Sequence, residues 1–172
     1  SGQGLKTNFG FNVKYNKKGT KLRGHMNVIF RSLESDGVHI YQIKGNAIQS
    51  LGVNVVQNNL KTEEFITKSN LKDITNPLNP VDLGGGLILK VNMTDRGEPG
   101  RDDSIAIELT DRRNKLLYSS NWTGISTREM TLEGGNTLVH SGFSLNEAVK
   151  RPVEKEIAQH FNVSYWPNPS ND

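Results

Sequence analysis

Apolar and polar residues alternate with a period of two along most of this chain. Phe9, Phe11, Val13 and Tyr15 are interleaved with Asn8, Gly10, Asn12 and Lys14. After the stretch Asn16-Lys17-Lys18-Gly19, Leu22, Gly24, Met26, Val28 and Phe30 alternate with Arg23, His25, Asn27 and Ile29. Alternation of this kind sends successive side chains to opposite faces of a half-buried strand, and a short Gly-containing turn between two such runs predicts a hairpin. Ser35-Asp36-Gly37 turns the chain again. Further strands are predicted over 38–44, 47–56, 63–71, 87–94, 104–110, 115–120, 125–132 and 137–140. Roughly ten short strands joined by turn residues predict an all-β fold, an antiparallel β-sandwich or barrel.

Two connections are longer than turns. The stretch 73–86 contains Pro77, Pro80 and Gly84 to Gly86, and 95–103 reads Asp-Arg-Gly-Glu-Pro-Gly-Arg-Asp-Asp. A helical period emerges only near the end, where Leu145, Val149, Val153, Ile157 and Phe161 recur every fourth residue. Pro152 interrupts that run and suits a first helical turn, so a short helix is predicted from Pro152 to about His160. The predicted organisation is an all-β domain over 1–143, then a linker, the short helix and a tail over 144–172, contributing little to the core.

Composition narrows the chemistry. The 172 residues include 19 Asn and 17 Gly, in keeping with many turns, and no Cys. The lack of Cys excludes a disulfide scaffold, a thiolate metal site and a cysteine nucleophile. A net charge of +3 comes from 21 Lys and Arg against 18 Asp and Glu. Its clusters, Lys14 to Arg23 and Arg112 to Lys115, bracket turns and read as solvated hairpin ends, so no nucleic-acid partner is predicted. No apolar run reaches the ~20 residues of a membrane-spanning helix. The opening Ser-Gly-Gln-Gly lacks a signal-peptide pattern, and the chain reads as a piece of something longer.

Catalysis finds little support. His25, His39, His140 and His160 fall in different elements, with no HExxH pair and no GxSxG elbow. Glu63 and Glu64 are adjacent and point to opposite faces of a strand. No enzyme is predicted. Calcium has a better claim, because Asp95, Glu98, Asp102 and Asp103 lie close together among glycines, and hard cations take several carboxylate and carbonyl oxygens. Arg96 and Arg101 counter that cluster, and the alternative is aspartates capping their own loop amides. Tyr118 and Trp122, in Tyr-Ser-Ser-Asn-Trp-Thr-Gly, are the candidates for stacking on a sugar ring, with neighbouring Ser and Asn to bond hydroxyls. The alternative for Trp122 is a plug at one end of the core.

Two stretches resemble known families. Phe161 to Asn171, with Tyr165, Pro167, Asn168 and Pro169 at its centre, resembles the opening of the C-terminal sorting domains of the Bacteroidetes type IX secretion system; Trp166 departs from the commonest form. Asn8 to Tyr15, Gly24 to Arg31, Tyr41 to Gly45, Leu71 to Pro80, Met93 to Ser104 and Leu117 to Trp122 resemble an uncharacterised β-rich module of secreted bacterial multidomain proteins. The resemblances imply a secreted or cell-surface bacterial location. They imply neighbouring domains of a parent protein and the secretion machinery as partners. The β-rich module carries over no site residues; the sorting-domain resemblance gives Tyr165, Pro167, Asn168 and Pro169 as the sorting motif. The expectation is a non-catalytic extracellular spacer or adhesion-type module; the alternative is a carbohydrate-binding module with a polysaccharide partner. A solvent-facing Trp122 favours the alternative and a buried one the spacer.

Overall fold

The computed structural model describes residues 5–56, 60–97, 102–133 and the backbone of 156–166. Among them there is no helix. The strands are β1 (Leu5–Tyr15), β2 (Leu22–Glu34), β3 (Gly37–Val55), β4 (Lys61–Asp73), β5 (Val81–Asp95), β6 (Ser104–Thr110), β7 (Leu116–Ser119), β8 (Met130–Thr131) and β9 (Glu156–Trp166). All pair antiparallel in one sheet of order β7-β6-β5-β4-β3-β2-β1-β9, with β8 also on β6. From β1 to β7 the chain is a plain meander, because each turn is short enough to return the next strand to its neighbour.

The period-two pattern explains which face is wet. Leu87, Leu89, Val91 and Met93 of β5 are buried, as are Ile105, Ile107 and Leu109 of β6, Phe65 of β4, Ile43 of β3, Met26, Val28 and Phe30 of β2 and Phe9, Phe11 and Val13 of β1. Each fully buried side chain of this size contributes about 1.5–3 kcal/mol relative to exposure. The sheet also curls. Tyr118 of β7 lies 4.1 Å, centroid to centroid, from Phe30 of β2, and its hydroxyl is 3.2 Å from Thr7 Oγ1 of β1. Strands from opposite sides of the sheet therefore meet through side chains across the core, although the backbone ladder does not close.

Three expectations need correction. The predicted helix from Pro152 to His160 is not formed where the chain is described: Glu156–Trp166 is a strand, and it pairs with β1 from Lys14↔Glu156 to Leu5↔Trp166. The apolar residues Ile157, Phe161 and Val163 have even spacings that suit a strand as well, and the exposed edge of β1 supplies the unpaired amides that decide it. This segment thus adds a strand to the sheet. Second, 38–44 and 47–56 are one strand, bent by register shifts at Gly45/Ala47 and Ile48/Ser50. Third, only Met130–Thr131 of 125–132 is strand; the preceding residues fold over the outer face of β6. The boundary at 143/144, Pro152, and strand 137–140 lie outside the described residues.

Candidate functional site

The outer face of β5 and β6 carries a concavity with an aromatic side chain in its wall. Strand register sets its floor: Asn92 stands opposite Ala106, and Lys90 opposite Glu108. Thr110, Asn114 and Leu116 close one end at the β6–β7 turn, and the segment Trp122 to Thr127 forms the overhanging wall. The hollow measures about 330 Å³, the lower end of the range for small-ligand sites.

Local chemistry holds each wall in place. At the turn, Asp111 Oδ1 accepts from the amides of Arg113 and Lys115, 2.7 and 2.9 Å away. These two amides, that of Lys115 first, hold the Asp111 carboxyl below its ordinary range. Asn114 adopts a φ of 62°, which Asn tolerates better than most residues. The overhang is a small hairpin of its own, with a Trp122↔Thr127 bridge and amide bonds from Thr123 to Ser126 O and from Arg128 to Asn121 O. Thr127 Oγ1 donates to Glu108 Oε2 at 2.6 Å. Its single proton is then used, so Ser119 Oγ, 2.8 Å away, donates to Thr127. A relay from buried Ser119 thereby fixes both the overhang and the Glu108 carboxylate.

Trp122 is half-buried and does not belong to the core cluster. Its ring lines the hollow beside Ile125, which is 89% exposed at the hairpin tip. Tyr118 does not join it. At 1% exposure it is a core residue, burial raises its phenol pKa, and it offers no surface to a sugar. The sugar-stacking assignment of Tyr118 is therefore withdrawn. The β6–β7 register explains why: a shift between Leu109 and Thr110 skips Leu117, and Tyr118 stands opposite the buried Leu109 and so faces in with it.

The aspartate-rich loop has a different geometry from the one its composition suggests. Asp95 and Asp103 are buried, and their Oδ1 atoms accept from the amides of Gly97 and Arg96 at 2.8 and 2.9 Å. Arg96 Nη1 donates to Asp102 O and to Ser104 Oγ. Among the described residues no group of three His, Cys, Asp or Glu is placed to hold a metal ion. Glu98 lies outside the described residues. The two aspartates act on the loop backbone, and Asp103→Ala is expected to lower stability by about 1–3 kcal/mol in calcium-free buffer, read by urea unfolding. An unchanged midpoint would contradict this capping role.

A second polar cluster was not anticipated. His39 Nδ1 lies 2.6 Å from Asp73 Oδ2 and Nε2 lies 2.9 Å from Asp36 Oδ1. Hydrogen bonds to Asp73 and then Asp36 raise the His39 pKa above its ordinary 6.5. Burial works to raise the Asp73 pKa, but hydrogen bonds from Thr75 and His39 outweigh it and the net shift is downward. Tyr41, stacked at 6.0 Å on His39, has its pKa pushed up to about 12, by burial first and then by the Glu34 and Asp73 charges. With both nitrogens held by carboxylates the imidazolium is not a free base, so the cluster is a clip between the β2–β3 turn and the end of β4. Its contribution is fully present below pH 6.5 and lost as pH rises through the raised His39 pKa. It also fades in acid as Asp73 protonates below 3.8. The melting temperature is therefore expected to fall between pH 6 and 9 in the parent and to stay level over that range in His39→Gln. Parallel pH profiles for the two proteins would contradict the clip.

Of the sorting-tail residues, Tyr165 lies in β9 and is described in backbone alone; Pro167, Asn168 and Pro169 lie outside the described residues. Among the described residues no helix is long and apolar enough to cross a membrane. Comparison with family models, curated proteins and solved structures returned no match for this chain.

Proposed function

We propose that this chain is a non-catalytic, extracellular carbohydrate-binding module of a secreted bacterial protein, with the Trp122 hollow as its binding site. The observation that carries this reading is the half-exposed Trp122 ring lining a hollow of mixed polar and apolar side chains on the outer face of β5 and β6. Sugar rings present C–H faces to an indole and hydroxyls to side chains around it, and this hollow offers both kinds of surface. The relay through Ser119, Thr127 and Glu108 holds the wall without ligand, which limits the ordering cost of binding. The extracellular location rests on the resemblance of Tyr165 to Pro169 to a sorting-domain opening. The curled single sheet, read as a half-open barrel, gives the rigid body such a module needs and also suits the spacer role.

The test is affinity electrophoresis of the chain through gels containing soluble polysaccharides. Trp122→Ala is expected to abolish retardation while leaving the melting temperature within a few degrees. Truncating a central aromatic anchor costs about 2 kcal/mol or more, a loss of about thirtyfold in affinity. Retardation that survives Trp122→Ala would place binding elsewhere and overturn the assignment.

A further inference from the structure

Charge bookkeeping at the hollow narrows its ligand. Lys90 is the one cation among the described lining residues, and its Nζ sits 3.3 Å from Glu64 Oε2 on the neighbouring strand. Both side chains of that pair are about half exposed, so Lys90 keeps N–H donors for a ligand hydroxyl. Glu108 Oε2 is taken by Thr127, while Oε1 has no hydrogen-bond partner among the described residues and remains an acceptor. With Glu64 and Glu108 beside the single ammonium of Lys90, carboxylates outnumber cations at the hollow, and the second oxygen of Glu108 is its charged acceptor. A ligand of hydroxyl donors suits that acceptor. A uronate or a sulfated sugar brings acceptors and negative charge against Glu108, and two anions in a half-buried site repel.

We infer that the hollow selects neutral sugars, with the free oxygen of Glu108 taking ring hydroxyls as the specificity-determining contact. This inference rests on the carbohydrate-binding reading and adds the ligand's charge class and the residue that sets it. The shape agrees, since a hollow of about 330 Å³ has room for a short saccharide unit rather than a long chain. Glu108→Gln keeps an acceptor for Thr127 and nearly the same volume, so the overhang survives, but it removes the charge that strengthens each hydroxyl contact.

The experiment measures retardation of the parent, Glu108→Gln and Trp122→Ala in gels of mixed-linkage β-glucan, xylan, galactomannan, polygalacturonate and chondroitin sulfate. The parent is expected to be retarded by at least one neutral polymer and by neither acidic one. Glu108→Gln is expected to weaken neutral binding about tenfold, with a melting temperature within a few degrees of the parent's, because the Thr127 contact is kept in a weaker, uncharged form. Retardation by an acidic polymer that Trp122→Ala abolishes would overturn the neutral-sugar inference and leave the site standing. So would Glu108→Gln binding as tightly as the parent. No retardation by any of the five, or retardation indifferent to Trp122→Ala, would remove the carbohydrate-binding reading itself and this inference with it.

Discussion

Tyr118→Ala is expected to cost about 3–5 kcal/mol, because it deletes a fully buried aromatic where two distant parts of the sheet meet. Its ring packs at 4.1 Å on Phe30, which in turn lies 5.1 Å from Tyr41, so the cavity would open a continuous aromatic row. At about 2–4 °C per kcal/mol for a domain of this size, the melting temperature should fall by roughly 10 °C. Tyr118→Phe separates the two parts of the effect. It keeps the ring and loses only the hydroxyl contact with Thr7, worth about 0.5–1.5 kcal/mol. If the alanine variant melted like the phenylalanine variant, β7 would not be closing over β1 and β2 as described.

Gly24→Ala is the second large effect, and it acts through the backbone. Gly24 pairs with Val13 in the β1–β2 ladder at a φ of +147°, a conformation that a side chain rarely adopts. A Cβ there would be driven into the Asn12 carbonyl oxygen and the Val13 Cα, both backbone atoms that cannot step aside without breaking the ladder. Strain of about 1–3 kcal/mol adds to an overpacking cost of similar size. A loss of about 3 kcal/mol or more is expected from chemical denaturation. Gly37→Ala is the control. Its φ is +130° in the β2–β3 turn, but a Cβ would meet nothing within 4 Å. Only the strain applies there, about 1–2 kcal/mol. Equal losses at the two positions would mean that crowding at Asn12 contributes nothing.

How far the sequence reveals this molecule depends on whether the relevant signal is local. The alternation of Leu87 to Met93 against Ile88 to Asn92 is local, and the buried face of β5 could be read from it directly. So could the Asn16 and Asp111 turns, where side chains bond amides a few residues on. The hollow was only half legible. Trp122 stood out as a residue type, but Lys90, Asn92, Glu108 and Thr127 become neighbours only through the β5–β6 register and the folding back of 120–129. Their placement on the polar face was readable; their company was not. Tyr118 failed as a site for a matching reason, since one residue of phase in β7 decides whether a ring faces the core or the solvent. His39 and Asp73 lie 34 residues apart and meet because β3 and β4 pair, a contact with no local signature. The four-residue spacing in the tail misled because an edge strand fits it once β1 is there to pair with.

The most direct measurement on the site itself uses Trp122 as its own reporter. The chain has two tryptophans, so Trp166→Phe leaves Trp122 as the single indole. Stacking a sugar on that half-exposed ring removes water from it. On titration with neutral oligosaccharides from the polymer that retards the parent, the emission is expected to shift to the blue and saturate. The same titration in Glu108→Gln should need about ten times the ligand. An emission spectrum that stays fixed up to millimolar neutral oligosaccharide would mean that the Trp122 ring does not meet a sugar, and the site would be refuted.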